Sequence, residues 1–267
     1  MELSRFNSNS PGILNEYNAF KYSFENGTMK KQYFKTTCFT PEYLYLDKIR
    51  INLNAETINN TITIESKLIV NDIQQIISSL ESLQSQSKEM NSQNINYIKI
   101  LLENYEKENF NVLNDLIKPW HSKIHTGGLI SIFGDYRKEC VWIKVKDNSD
   151  FNTARFIPAP PEQIPELMNN WSILFKSKSE YPLLDALLLF YQFVTIHPLE
   201  DDNGKHGWLL FSIFLIRHRI FHSSFLQMYE YFKKDESNFY EKIENIQFDK
   251  NFDDFISYCL KRILSQI

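Results

Sequence analysis

Ile196-His197-Pro198-Leu199-Glu200-Asp201-Asp202-Asn203-Gly204-Lys205-His206-Gly207-Trp208 sets a histidine, three acids, an Asn-Gly pair and a lysine between two apolar runs. Upstream, Pro182 to Ile196 is apolar all round, which predicts a buried helix, and Pro198 ends it because the residue before proline avoids the α region. Downstream, Asp202 or Asn203 can cap a second apolar helix from about Gly204 to Arg219. The first amides of that helix point back toward the break and form an anion site. A histidine at the end of one helix thus faces a phosphate cradle at the start of the next. His197 can take a proton from an alcohol, Asp201 can hold a hard cation such as Mg2+, and Lys205 can reach phosphate oxygens. The set suits phosphoryl or nucleotidyl transfer. Read alone, the same stretch also describes a packed histidine beside a hydrated acidic turn.

The 267 residues, 43% of them hydrophobic, suffice for one large core or a core with an extra lobe. Only 7 Gly and 9 Pro, with Leu, Ile and Phe at helical spacing, predict a mostly α protein. A net charge of −4 and a pI near 5.9 supply no basic field, which argues against nucleic acid as a partner. Three scattered cysteines, Cys38, Cys140 and Cys259, argue for free thiols in a reducing compartment. The polar start and the interrupted apolar runs predict neither a cleaved signal nor a membrane span. The expected location is the cytoplasm, or that of an exported effector without a cleavable signal.

Along the chain, residues 1 to about 40 show no period and read as an irregular or weakly helical arm. Helical spacing follows from Pro41 through Leu53. Asn60 to Lys67 alternates like a strand by propensity. Helical runs return at 73–83 and from Ile95 to Ile117, with a polar connector at 84–93. Cys140 to Val145 alternates, and a polar tip and a proline-ended return arm from Ala154 follow, which predicts a hairpin. Pro161 to Leu174 opens a core helix, and aromatic-anchored helices close the chain after Phe225. His121 with His125 and His218 with His222 have i,i+4 spacing, but each pair sits near a helix end without a glutamate or cysteine, so zinc is not expected.

The central stretch resembles the signature of the Fic family, His-x-Phe-x-(Asp/Glu)-Gly-Asn-Gly-Arg-x-x-Arg. His197, Asp201, Asn203 and Gly204 match, and Leu199 keeps the Phe position apolar. Asp202 stands for Gly, Lys205 for the first Arg and Trp208 for the second. Gly134-Asp135-Tyr136-Arg137 resembles the family's Gly-x-(Tyr/Phe)-Arg turn, and Thr61 to Glu65 resembles its (Ser/Thr)-x-x-x-Glu inhibitory motif, with Ser66 departing at the next position. The resemblance implies an all-α Fic fold, a helical bundle with a small β-hairpin flap over the active site. Its parts would be an N-terminal arm and inhibitory-helix region at 1–94, a Fic core at 95–225 and closing helices at 226–267. It implies transfer of AMP from ATP, with Mg2+, to a Ser, Thr or Tyr hydroxyl of a target protein.

On the same resemblance His197 is the general base and Asp201 the metal ligand. Asp202, Asn203, Gly204 and Lys205 bind nucleotide, and Glu65 is the inhibitor. Val141, Trp142, Ile143, Phe156 and Ile157 form the flap that positions the target by strand addition. The partners are then a target protein and no nucleic acid or membrane, with a homodimer left open. A catalytically weak Fic-like binder, another donor, and removal of the modification remain rival readings, because Asp202 puts a second carboxylate into an anion nest.

Overall fold

The computed structural model describes residues 10–25, 28–71, 73–86, 95–96, 98–99, 102, 111–124, 134–143 and 153–267. It opens with an antiparallel hairpin, β1 (Gly12–Glu25) and β2 (Thr28–Pro41), followed by α1 (Leu46–Ile51), α2 (Ala55–Leu68) and α3 (Ile73–Gln86). A π-helical turn (Val112–Ile117) runs into α4 (Lys118–Ile124). Then come α5 (Ile164–Lys176), α6 (Pro182–Ile196), α7 (Asn203–Arg217), α8 (Met228–Lys233), α9 (Glu236–Asp249) and α10 (Phe252–Leu264).

The fold is all-α around a central pair, α6 and α7, as the apolar runs predict. Both helices are buried along almost their whole length, including Leu187, Leu188, Phe193, Ile213 and Leu215 at full burial. Gly207 lets them approach, since a Cβ there would come within 3.0 Å of Phe190 and 3.2 Å of Val194. α5 lays Ile164, Leu167, Met168, Trp171 and Phe175 on this pair, and the Trp171 indole donates to the Leu189 carbonyl at 2.9 Å. α10 supplies Phe255, Ile256, Cys259 and Ile263 from the other side. Among the described residues no helix is long and apolar enough to cross a membrane.

One local reading needs correction. The N-terminal arm is neither irregular nor helical between 12 and 41: it is a fourteen-residue-per-strand hairpin with Glu25 opposite Thr28 and Gly12 opposite Pro41. Its Thr, Tyr and Phe content favours strand, and the two residues between the strands are Asn26-Gly27, the dipeptide that tight hairpins prefer. Asn60 to Lys67, a strand by propensity alone, is helical, as the resemblance to an inhibitory helix implies. Asn54 caps α2 by accepting from the Thr57 amide at 2.8 Å, and Thr57, Thr61, Ile64, Glu65 and Leu68 form one buried face at helical spacing. Burial of that stripe outweighs β propensity.

The described part of the flap keeps one antiparallel bridge, Ile143 to Phe156, with Ile143 N–H to Phe156 O at 2.8 Å and Arg155 N–H to Ile143 O at 2.9 Å. Its expected tip, 146–152, lies outside the described residues, as does His125. The N-terminal hairpin lies against the base of the flap. Ala19 and Cys38 pack with Cys140, Ala154 and Ile157 in a small cluster separate from the main core, and Phe39 N–H donates to Ile157 O at 2.8 Å.

Candidate active site

α6 must end at Pro198, and its last residue position is strained. His197 is the C-cap in the left-handed region, φ 53° and ψ 59°, an unusual conformation for a residue with a Cβ. Arg137 explains how it is held. This buried side chain donates from Nε to the His197 carbonyl at 2.7 Å, from Nη1 to Glu139 O at 2.9 Å, and from Nη2 to Ala159 O at 2.5 Å and Ile196 O at 3.4 Å. Its own amide donates to Pro198 O at 2.9 Å. One guanidinium thus satisfies the carbonyls that a helix C-terminus leaves open, and its charge suits the negative end of the helix dipole. Burial lowers its pKa to about 10, so it stays cationic at neutral pH.

The His197 ring lines a cleft, with Nδ1 3.2 Å from Val194 O. A carbonyl can only accept, so Nδ1 carries the proton and Nε2 keeps its lone pair. Burial and the Arg137 charge push its pKa down to about 3. The imidazole is therefore neutral across the physiological range and available as an acceptor.

Across the break, Asn203 is buried and bonds both backbone groups of Leu199, accepting from its N–H at 3.0 Å and donating to its O at 2.9 Å. Its side chain thereby shapes the loop, with both of its polar ends engaged there. Asp202, the N-cap of α7, is also left-handed at φ 57° and ψ 19°. The first backbone bond of the helix is His206 N–H to Asp202 O at 3.0 Å, so the amides of Asn203, Gly204 and Lys205 are those a helix offers to an anion. Asp201 is exposed and its Oδ1 accepts from the Asp202 amide at 2.7 Å, leaving the second oxygen for a cation. Mg2+ bound through one carboxylate and substrate phosphates fits such a site. Among the described residues no cluster of three or more metal-type side chains is present.

The departures from the signature are coupled. Lys205 Nζ lies 2.7 Å from Asp202 Oδ1, so the two replacements pair with each other at the mouth of the nest; the ammonium also lies 5.6 Å over the Tyr229 ring. Trp208 is buried and stacked, 4.2 Å from Phe190 and 4.4 Å from Phe232 between ring centroids, with Phe239 at 5.9 Å. The cleft beyond His197 and Gly204 has aromatic walls, Phe156, Trp208, Tyr229 and Phe239, and is also lined by Arg155, Lys233, Glu236 and Glu244. Arg155, on the flap's return arm, reaches Glu244 of α9 at 3.4 Å.

His197, Asp201, Asp202, Asn203, Gly204 and Lys205 are thus brought together, with Ile143 and Phe156 beside them. Trp142 and Ile157 turn toward the N-terminal hairpin instead, and Val141 is half-buried. Glu65 is not at the site. Its Oε1 accepts from the Leu183 amide at 2.6 Å, at the N-terminus of α6, whereas His197 sits at the C-terminus, about 20 Å away along a fifteen-residue helix. The helical face that buries Glu65 packs it against the start of α6, so the inhibitory placement expected for it is not met. Arg137 and the Asp202–Lys205 pair are what the sequence reading missed.

Residues 111–215 match the Fic/DOC family. The chain contains a Fic domain. That segment falls within the 95–225 core that the resemblance implies and holds Arg137, His197 and the whole nest. Similar solved structures include a Fic family protein from Desulfovibrio desulfuricans G20, 18% identical over 84% of this chain and 67% of that one, with TM-score 0.49. Another is a Fic-domain-containing signalling protein from Bacteroides thetaiotaomicron VPI-5482, 17% identical over 82% of this chain and 92% of that one, at 0.48. A third is Fic-1 (residues 134–508) from C. elegans, 14% identical over 84% and 65%, at 0.45.

Proposed function

We propose that the protein is a Fic-type transferase that moves AMP from ATP to a Ser, Thr or Tyr hydroxyl of a target protein. The observation that carries this reading is the pairing of a neutral His197, its Nδ1 held by Val194 O, with the open amides of α7 across a five-residue break. His197 Nε2 takes the proton of the target hydroxyl while its oxygen attacks the α-phosphorus, and the bond to pyrophosphate breaks. The amides of Asn203, Gly204 and Lys205 hold the α-phosphate oxygens, where negative charge grows during the attack. Asp201 would hold Mg2+, which supplies charge neutralisation to the phosphates. Ile143 and Phe156, on the bridged arms of the flap, would present the target segment. Glu65 has no part in this reaction.

The Asp202–Lys205 pair and the aromatic setting of Trp208 favour a second reading, a Fic domain whose donor is not a triphosphate. Both readings meet the same experiment: incubation with ATP labelled at the α- or γ-phosphate, with and without Mg2+, followed by detection of covalent label on the protein or a lysate. AMP transfer requires Mg2+-dependent label from α- but not γ-labelled ATP, abolished in His197→Asn, a substitution that tolerates the left-handed backbone. Absence of label under every condition would rule out the AMP-transfer reading in favour of the second.

A further inference from the structure

Cys38 of β2 and Cys140 at the base of the flap are 102 residues apart in sequence, yet their sulfurs are 4.0 Å apart and both residues are buried. Cys259, the remaining cysteine, lies fully buried in the main core on α10. We propose that Cys38 and Cys140 are a thiol–disulfide modification site at which oxidation fastens the N-terminal hairpin to the flap. A disulfide needs the sulfurs at roughly 2 Å, so each must move by about 1 Å, within reach of small side-chain adjustments.

The surroundings support reversible chemistry. Among the described residues the cluster that holds the pair has Ala19, Cys38, Cys140, Ala154 and Ile157 as its buried members and is separate from the main core, so the hairpin can lift locally without unfolding the helices. The thiol of Cys140, as donor to Cys38, and the Arg137 guanidinium favour the Cys38 thiolate, which is the attacking species in exchange. With a small-molecule disulfide such as oxidised glutathione as oxidant, the Cys38 thiolate attacks one sulfur and the small disulfide bond breaks, releasing one glutathione thiol. The Cys140 sulfur, losing its proton, then attacks Cys38 in the mixed disulfide and releases the second. The cysteines lose two electrons, and the small disulfide gains them as two thiols.

The bond would act on the flap. Cys140 lies three residues after Arg137, whose side chain holds the backbone of His197, and Cys38 precedes Phe39, which donates to Ile157 on the return arm. Oxidation would therefore join β2 to both arms of the flap, and reduction would leave only packing and a few hydrogen bonds. This inference does not depend on which group the Fic site transfers.

The test is a thiol count, intact mass and non-reducing peptide map of the full chain after equilibration with oxidised glutathione, compared with the fully reduced protein. The expected result is a fall from three titratable thiols to one, a mass loss of two hydrogens and a peptide linking Cys38 to Cys140, reversed by dithiothreitol. Slower amide exchange at 36–41 and 153–157 in the oxidised form is also expected, while exchange in α6 and α7 stays unchanged. Three surviving thiols, a stable glutathione adduct without a cross-link, or a bridge to Cys259 would each overturn the proposal. Cys38→Ser and Cys140→Ser should each abolish the linked peptide, and Cys259→Ser should keep it.

Discussion

Asp202→Gly is the substitution that separates the backbone from the charge at this site. Asp202 occupies φ 57° and pairs with Lys205 at 2.7 Å. A left-handed non-glycine residue costs roughly 1 kcal/mol, less for Asp than for most, and glycine removes that strain. Against it stand the added freedom of the unfolded chain, about 0.5–1 kcal/mol, and the lost ion pair, up to about 1 kcal/mol for partly exposed groups. Stability should therefore change by no more than about 1 kcal/mol, or a few degrees in Tm. Phosphate binding should change more. Freed from Asp202, the Lys205 ammonium can make a charge-assisted hydrogen bond worth about 1.5–3 kcal/mol, roughly a ten- to hundredfold gain in affinity. Calorimetric titration should show Mg·ATP bound at least about tenfold more tightly by Asp202→Gly than by the parent, adenosine bound equally by both, and the gain lost in Asp202→Gly with Lys205→Met. Equal or weaker ATP binding in the single variant, with Tm unchanged, would refute the claim that the pair competes with phosphate.

Trp208→Arg, which restores the second signature arginine on paper, should lower stability by about 3–5 kcal/mol, because it replaces a stacked, buried indole by a charge among Phe190, Phe232 and Phe239; thermal melts check this. Arg137→Lys should keep one or two of the carbonyl contacts and lose the fork, lowering stability by about 2 kcal/mol and any transfer rate through kcat more than KM, since it acts on the seat of His197. His197, with its pKa lowered to about 3, contributes stability that is complete above its ordinary 6.5 and lost as pH falls from 6.5 toward 3. Denaturant melts of His197→Asn should lack that acid-side slope. Glu65 runs the other way: burial raises its pKa to about 7, so its contribution is complete below 4.5 and lost as pH rises from 4.5 through 7, and Glu65→Gln should remove this decline.

What the sequence could reveal depended on how far apart the interacting residues lie. His197 to Lys205 is nine consecutive residues between two apolar helices, so proline, caps and helix amides place the base against the nest without knowledge of anything else. α2 was ambiguous because Ile62, Thr63 and Ile64 favour strand, while the stripe from Thr57 to Leu68 has helical period; packing decides between them. The same stripe shows that Glu65 is buried and is silent about what it faces, and the start of α6 is more than a hundred residues further on. The role of Arg137 has this character too, since the helix-end acceptors it holds, the Ile196 and His197 carbonyls, lie about sixty residues downstream. The N-terminal hairpin was within reach of local reading through Asn26-Gly27 and the Thr-rich second strand, but its alternation mixes polar and aromatic residues on both faces. Only the packing of Ala19 and Cys38 on the flap says which face is inward.

The three departures from the Fic signature become intelligible as one arrangement. Glycine at position 202 would suit the left-handed turn without strain; aspartate keeps the turn because its short polar side chain tolerates that conformation. Its charge would repel phosphate from the nest unless neutralised, and Lys205, one helical turn on, supplies the neutralisation at 2.7 Å. An arginine at position 208 would sit a further turn along the same helix, where the wall is now Phe190, Phe232 and Phe239. Tryptophan fills that space and donates no charge to the cleft. The nest thus keeps its backbone amides, which suffice for one phosphate, and lacks the two signature arginines that would reach the outer phosphates beyond it. The discriminating quantity is therefore the affinity difference between AMP and ATP in the presence of Mg2+. A site built on amides alone should bind the two within about threefold, whereas side-chain recognition of the outer phosphates should favour ATP by tenfold or more, as each charge-assisted contact adds about 1.5 kcal/mol or more.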